Sequence, residues 1–227
     1  MQKRLVRKLE LEMLLSQVKP HPHPKPNLEQ YTIPANIAAN ILYIAAYTYN
    51  DIINKNVLDL GCGTGRLAIG AAFLGAKQVV GVDIDKTAVK LAFKNSVENE
   101  LKDKLQWVAA DINAIRGKFD TVLQNPPFGV QKRRADRAFL KKAMELGNKV
   151  YSLHKSSHKN KDFIKKLKSA NIVSVSPSLF LKKFIKNHGG EIKAVYTMLM
   201  AIPHMFFFHQ KKKHEFAVDL YVIETTR

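Results

Sequence analysis

The chain has 227 residues, 46% of them hydrophobic, which is enough for one large α/β core with or without an appendage. No apolar run approaches the ~18 residues that a membrane span requires, and the N-terminus lacks the apolar region and cleavage site of a signal peptide, so we expect a cytoplasmic protein. The 37 Lys and Arg residues outnumber the 19 Asp and Glu residues, and the formal charge of +18 favours a polyanionic partner, nucleic acid above all.

The single cysteine and the two histidines of the proline-rich stretch do not predict a metal site or a catalytic thiol. Cys62 is the single cysteine, so no internal disulfide or cysteine-based zinc site can form. It stands in a glycine-rich turn, and we expect a small structural residue there rather than a catalytic thiol. His21 and His23 lie on a proline-rich stretch without a third ligand, so no metal site is expected.

Residues 1–50 are predicted to form two helices joined by a linker. The first helix falls within residues 1–19, where apolar side chains recur at helical spacing, at Leu5, Leu9, Met13 and Leu14. The proline-rich residues 20–26 predict an extended linker. Pro34 suits the first turn of the second helix. We expect this N-terminal part to pack on a domain formed by residues 51–227.

Residues 51–227 alternate short apolar strands with helices. Strands are predicted at 57–60, 78–82, 105–109, 119–123 and 149–153, and the alternation favours parallel strands with helices on both faces. Two further strands, 194–202 and 216–223, follow each other directly. The sequence therefore predicts a Rossmann-like α/β fold, a mostly parallel seven-stranded sheet with an antiparallel C-terminal edge. A basic extra segment at about 158–190 contains two predicted helices, 162–170 and 178–187.

Glycines and carboxylates are placed for ligand binding at the ends of the first strands. Gly61, Gly63 and Gly65 follow the first strand and open a helix, where backbone can approach a ligand closely. Asp83 closes the second strand and can accept hydrogen bonds from both ribose hydroxyls. Asp111 follows the third strand, and with the backbone of Ile112 it can meet an adenine amine and ring nitrogen. The pattern indicates an adenosine-containing cofactor.

The stretch Asn125-Pro126-Pro127-Phe128 follows the fourth strand and predicts a site for a flat, amino-bearing ring. The prolines fix φ and hold Asn125 in an extended conformation. The Asn125 side-chain oxygen and the Pro126 carbonyl can then both accept from one exocyclic NH₂, while Phe128 stacks on the ring. The alternative interpretation is a proline-stiffened loop with Phe128 in the core.

This turn also discriminates between the two cofactors that the sheet could hold. NAD needs a pyrophosphate cradle, which usually reads GxGxxG, whereas this chain reads GxGxG followed by Arg66. S-adenosylmethionine carries a cationic amine that a carboxylate such as Asp59 would suit. A hydride-transfer enzyme has no evident use for the Asn-Pro-Pro-Phe turn, so we expect S-adenosylmethionine.

These motifs together resemble a known family. The sequences DLGCGTG at 59–65, VDID at 82–85 and NPPFG at 125–129 resemble class I S-adenosylmethionine-dependent methyltransferases acting on exocyclic amines. LEQY at 28–31 and VYSLHKSS at 150–157 are similar to the methyltransferase-like protein 5 family, which methylates an adenine N6 in small-subunit rRNA. The resemblance runs from about Leu9 to His158 and from Phe208 to about Tyr221.

The resemblance extends the set of predicted site residues. Asn125 to Phe128 fall where the family holds the target base. With the acids above, the predicted cofactor-binding residues are Gln30, Asp59, Gly61, Gly63, Thr64, Arg66, Asp83, Ile84, Asp111 and Ile112. Two departures stand out. Thr32-Ile33 replace the usual Pro-Thr after Tyr31, and the stretch from about 159 to 190 is longer than in the family.

Three basic clusters are expected to hold RNA phosphates around the site. They comprise Lys132, Arg133, Arg134 and Arg137 after the motif, His154 and Lys155 at the end of the fifth strand, and Lys211, Lys212 and Lys213. The alternatives are a general-base role for His154 and, for each cluster, an ordinary solvated charge run.

The sequence therefore predicts an S-adenosylmethionine-dependent methyltransferase that modifies adenine N6 in RNA. Methylation of a guanine exocyclic amine or of a protein glutamine amide remains an alternative, since both present a planar NH₂. A non-catalytic RNA-binding protein is a third. Members of the family are partnered by a small zinc-containing activator protein that covers an apolar edge. The N-terminal helix and the extra segment are the alternative cover.

Overall fold

The structure, a computed structural model, describes residues 5–129, 134–158, 160–203 and 213–226. Its helices are α1 (Lys8–Gln17), α2 (Ala35–Tyr43), α3 (Arg66–Phe73), α4 (Lys86–Glu98), α5 (Ala135–Leu146), α6 (Lys161–Ala170) and α7 (Leu179–Asn187). Its strands are β1 (Asn56–Leu60), β2 (Gln78–Asp83), β3 (Leu105–Ala109), β4 (Phe119–Gln124), β5 (Gly147–Lys155), β6 (Ile172–Ser174), β7 (Gly190–Pro203) and β8 (Lys213–Thr225). None of the described helices is both long and apolar enough to cross a membrane.

All these strands form one sheet in the order β3-β2-β1-β4-β5-β8-β7-β6. The first five strands in this order form four parallel pairs, whereas β8 pairs antiparallel with β5, β7 with β8 and β6 with β7. The predicted parallel core with an antiparallel edge is confirmed. The predicted number of seven strands is wrong, because β6 pairs with β7 through only three residues, too few to show an alternating pattern.

The extra segment extends the far edge of the sheet, and both of its predicted helices are confirmed as α6 and α7. Leu181 and Ile185 of α7 are buried against the sheet. At the opposite edge, β3 pairs only with β2 among the described strands. The extra segment therefore does not cover the β3 edge.

Side chains that alternate along the strands bury two apolar layers. On one face Tyr151 and Leu153 of β5 join a cluster with residues of α1, α2 and α3, whereas Val150 points to a second cluster with α5 and α7. The same alternation places Leu58 in the second cluster and Val57 in the first. The carboxyl ends of β1, β2 and β4 are thus fixed between two helical layers.

Helix α1 docks on α2 and α3 through a different face from the one its sequence predicts. Leu11 and Leu15 are fully buried, whereas Leu9 is 67% and Met13 59% exposed. The close approach is possible at Gly70 of α3, where an added Cβ would lie 3.1 Å from Cδ2 of Leu15. The sequence of α1 contains two apolar faces, one with Leu9 and Met13 and one with Leu11 and Leu15. Only the shape of the partner helices determines which face is buried.

Truncating α1 on its buried face should destabilise the protein, whereas truncating its exposed face should not. We expect Leu15→Ala to lower the free energy of unfolding by about 3 kcal/mol, since it leaves a cavity. Met13→Ala, the matched control, should change it by no more than about 0.5 kcal/mol. Urea denaturation measures both, and equal losses would contradict the buried face described above.

Candidate active site

A cavity of about 330 Å³ opens at the carboxyl ends of β1, β2 and β4. Every residue predicted to contact the cofactor lines it, as do Asn125 and Pro127 of the Asn-Pro-Pro-Phe turn. Pro126 is buried, and the side chain of Phe128 lines a second, neighbouring cavity. The sheet therefore brings the predicted cofactor residues and the base-holding turn to one place.

The loop after β1 exposes backbone to this cavity. Gly63 has a φ of +53°, and an added Cβ there would meet no atom within 4 Å, so its surface is open. Gly65 has a φ of +89°, and its Cβ would lie 2.5 Å from the Trp107 ring. The first glycine therefore provides open backbone for a ligand, and the second allows the Trp107 ring to pack beneath the loop.

Asp83 is held in place by the same loop. Its Oδ2 accepts from the Gly63 N–H at 2.8 Å, and its Oδ1 accepts from the Asp85 N–H at 2.9 Å. Burial raises the pKa of Asp83 above its ordinary value, although these N–H donors oppose the rise. The carboxylate is thereby oriented at the cavity wall, where the sequence predicts a contact with ribose hydroxyls.

Asp59 is a buried carboxylate with an unused acceptor. Its side chain is 1% exposed, Oδ2 accepts from the Ala68 N–H at 2.9 Å, and Oδ1 has no hydrogen-bond partner among the described residues. Burial, reinforced by the nearby charge of Asp83, raises the pKa of Asp59 to about 7. A cationic amine placed here would satisfy the free oxygen and favour the ionised carboxylate.

The segment 19–32, which we call the strap, crosses the site and is held at both ends by Arg66. The Arg66 guanidinium donates to the Ile33 carbonyl at 2.5 Å and to the Val18 carbonyl at 2.8 Å. Burial lowers the pKa of Arg66 to about 10, so it remains charged at neutral pH. Arg66 lines the cavity as predicted, but it also has this anchoring role, which the sequence did not indicate.

The strap is fastened to the cofactor side through Asp85. Asp85 accepts from the Gln30 side chain at 2.8 Å, and its Oδ2 lies 3.2 Å from Lys25 Nζ and 3.5 Å from His21 Nε2. Burial alone would raise the pKa of Asp85, but hydrogen bonds from Gln30, Thr87 and Lys25 lower it below its ordinary value. In the sequence, Asp85 stands out only as part of the VDID motif. Its role in holding the strap could not be predicted, because the strap residues that contact it are more than 50 positions away in sequence.

The strap also contacts the Asn-Pro-Pro-Phe turn. Oε2 of Glu29 accepts from the Phe128 N–H at 2.7 Å, and the rings of Tyr31 and Phe128 pack with centroids 5.6 Å apart. Oδ1 of Asn125 is buried and has no partner among the described residues. The turn therefore presents a free carbonyl oxygen. Glu29 supports the turn, a role that its place in the LEQY motif did not predict.

The predicted RNA-binding residues are only partly described. Arg134 is exposed at the rim of the cofactor cavity, and the guanidinium of Arg137 lies 4.4 Å from the centroid of the Phe180 ring. Lys155 is exposed, whereas His154 is buried, which lowers its pKa to about 4 and keeps it neutral. Lys213 begins β8, while Lys132, Arg133, Lys211 and Lys212 lie outside the described residues.

Cys62 shows none of the features of a catalytic thiol. It is buried, and burial together with the charges of Asp59 and Asp83 raises the pKa of its thiol well above the ordinary value. The thiol therefore stays protonated at neutral pH, which suits the predicted structural role.

The sheet, the glycine loop, the acids at the strand ends and the Asn-Pro-Pro-Phe turn define a class I S-adenosylmethionine-dependent methyltransferase. A family model for ribosomal protein L11 methyltransferase (PrmA) matches residues 29–126. The chain is 38% identical to rRNA N(6)-adenosine-methyltransferase METTL5 of Danio rerio over 92% of this chain and 95% of that protein. It is 34% identical to rRNA N(6)-adenosine-methyltransferase Mettl5 of Drosophila melanogaster over 94% of each. The chain therefore belongs to the METTL5 family, as the motifs predicted.

A solved structure agrees with this assignment over the whole length. PH1948 of Pyrococcus horikoshii, described as a candidate RNA methyltransferase, superposes with a TM-score of 0.82 at 38% identity, over 99% of this chain and 100% of that one. The cofactor of this class is S-adenosylmethionine. The free Oδ1 of Asp59 and the open backbone at Gly63 fit its amino-acid end.

Asp59→Asn should weaken cofactor binding in a pH-dependent way. With the pKa of Asp59 near 7, the carboxylate is ionised above that pH and pairs with the cofactor's amine. We expect the variant to raise the Kd for S-adenosylmethionine at least about tenfold at about pH 8, the loss of one charged hydrogen bond. The difference from wild type should shrink below about pH 7. Calorimetry at several pH values measures this.

The same substitution should act in the opposite direction on the stability of the cofactor-free protein. Because the folded-state pKa is raised above the ordinary value, ionised Asp59 destabilises the fold at alkaline pH, and Asn removes that cost. We expect a higher Tm for Asp59→Asn at about pH 8.

For the binding measurement, Asp120→Asn, at the amino end of β4, is the control and should leave the Kd for S-adenosylmethionine unchanged. A flat pH dependence in wild type would contradict the assignment.

Proposed function

We propose that this chain transfers the methyl group of S-adenosylmethionine to N6 of an adenine in RNA, with small-subunit rRNA as the substrate. The observation that carries the proposal is the buried, unpartnered Oδ1 of Asn125, which lines the cofactor cavity. A carbonyl oxygen in this position needs a donor, and the exocyclic amine of a base placed beside the cofactor supplies one.

The motif's own residues account for the activation of a weak nucleophile. The lone pair of an adenine amine is delocalised into the ring, and two acceptors, Asn125 Oδ1 and the Pro126 carbonyl, favour a pyramidal nitrogen. S-adenosylmethionine supplies the electrophilic methyl group. Holding the amine in line with it contributes most of the rate, since proximity can supply ~7–11 kcal/mol. No general base is needed, because the proton can leave to water after transfer.

Charge and relationship support RNA as the substrate. A protein glutamine amide or a guanine amine also presents a planar NH₂, but a glutamine substrate needs no charge of +18. The vertebrate and insect relatives are named for adenosine N6 in rRNA, which supports adenine. The target base must be unpaired or flipped out, at a cost of about a few kcal/mol.

The test supplies labelled S-adenosylmethionine and total RNA to the purified protein and identifies the modified nucleoside. We expect N6-methyladenosine from wild type. Asn125→Ala should lower kcat at least about a hundredfold, by loss of one preorganised partner, with the cofactor Kd unchanged. Asn148→Ala, an exposed asparagine on β5, is the matched control and should retain full activity.

Other outcomes would overturn this assignment. Label in N2-methylguanosine or in protein would identify one of the alternative substrates, and absence of cofactor binding by calorimetry would favour a non-catalytic RNA-binding protein.

We also propose that a small zinc-containing activator protein covers the β3 edge. Phe93 and Val97 of α4, one turn apart, are 52% and 43% exposed, and Val108 of β3 is 37% exposed. An edge strand with apolar neighbours is suited to pairing with another chain. Helix α1 packs on α2 and α3, and the extra segment lies at the opposite edge of the sheet.

Phe93→Glu should therefore weaken the response to the activator. We expect the concentration of activator needed for half-maximal stimulation of methylation to rise at least about tenfold, since a charge is introduced at a desolvated contact. Met13→Glu, on the exposed face of α1, is the control and should respond as wild type. Full activity of the purified chain without any activator would contradict the proposal.

A further inference from the structure

A second cavity, of about 260 Å³, adjoins the Asn-Pro-Pro-Phe turn and is used by none of the chemistry above. It shares Phe128 with the turn, and its other walls come from α5, the end of β5, β8 and the first turn of α7. The extra segment therefore contributes directly to a surface beside the target-base turn.

The first turn of α7 is fixed at this cavity. The Ser178 N–H donates to the Tyr221 hydroxyl at 3.0 Å, and Ser178 Oγ caps the helix by accepting from the Leu181 N–H at 3.3 Å. Tyr221 is 1% and Leu181 8% exposed, so both partners of Ser178 are buried. The anchored turn holds Phe180 at the cavity, where its side chain stays 51% exposed.

The Arg137 guanidinium stacks over the Phe180 ring at the cavity. The guanidinium carbon of Arg137 lies 4.4 Å from the centroid of the Phe180 ring. Aromatic rings and guanidinium planes are the groups on which proteins stack unpaired RNA bases. The Phe180 ring also stacks on the ring of Phe184, with centroids 6.2 Å apart, yet Phe180 remains 51% exposed, so aromatic surface is still available to a planar ligand.

The polar groups of the cavity favour a base over a phosphate. Asp136 lines it, as does the 5% exposed Asp219, whose Oδ1 accepts from Thr197 Oγ1 at 2.7 Å. Carboxylates repel phosphate but accept from the amino groups of bases. His154, also in the lining, is 4% exposed and bonded through Nε2 to Ser152 Oγ at 2.8 Å. Lys155 is the exposed cation of the lining and suits a neighbouring phosphate.

We propose that this cavity binds the base of a nucleotide adjacent to the target adenine, with Phe180 and Arg137 as the stacking groups and Asp136 as the acceptor for its amino group. The proposal rests on the proposed function of the neighbouring site. Because Phe128 is part of the base-holding turn and also lines this cavity, one stretch of unpaired RNA can occupy the two sites together. The extra segment then determines the sequence context in which an adenine is methylated.

The experiment first maps the methylated adenosine in total RNA. An unpaired oligonucleotide spanning it is then made with each neighbouring base removed in turn, leaving an abasic sugar. With wild type we expect one abasic position to lower kcat/KM about tenfold, the loss of one stacked base. Phe180→Ala and Phe180→Leu should lower kcat/KM on the intact oligonucleotide by a similar factor and abolish the effect of that abasic position.

Controls separate this outcome from misfolding and from failure of the underlying function. Phe180→Leu keeps apolar bulk while removing the flat ring, and Leu179→Ala, at an 87% exposed side chain outside the cavity, should behave as wild type. Cofactor Kd should be unchanged in all variants. Indifference of wild type to every abasic position, or full dependence retained by both Phe180 variants, would overturn the proposal. Absence of N6-methyladenosine with wild type counts against the proposed function itself and appears before any variant is made.

Discussion

The buried guanidinium of Arg66 is the contact on which the arrangement of the site depends. Two of its N–H groups donate to the carbonyls of Val18 and Ile33, the residues that immediately precede and follow the strap. Buried carbonyls without donors cost free energy, and a single charged group that remains ionised at neutral pH satisfies both. The helix that begins at Arg66 follows directly from the glycine loop, so the strap and the loop are fixed relative to each other.

The strap in turn joins the two halves of the chemistry. Gln30 reaches Asp85, beside the acid that closes β2, while Glu29 accepts from the backbone of Phe128. Adjacent residues of one segment therefore order the cofactor side and the base-holding turn together. Displacement of the strap would disturb both sites at once, because its residues also line the cavity that the sheet mainly forms.

The sequence predicted those features whose causes are local. Apolar strands and glycine turns are encoded in short windows, and strand ends meet at one edge of a parallel sheet, so the cofactor residues could be predicted to converge. The buried face of α1 could not, because Leu11 competes with Leu9 and only packing against Gly70 decides. Strand β6 was missed for its length, and the contacts of Arg66 and Glu29 join residues far apart in sequence.

The net charge attracts RNA at long range, whereas the second cavity contacts it only at short range. A charge of +18 attracts any RNA and carries no sequence information, since contacts to phosphates position the chain while contacts to bases specify it. The lining beside Phe128 holds two carboxylates with Arg137 and Lys155, and a histidine that burial keeps neutral. The carboxylates balance the two cations, so the large net charge of the protein does not extend into this cavity. Discrimination among adenines accordingly depends on contacts to a base within this small surface and not on the net charge.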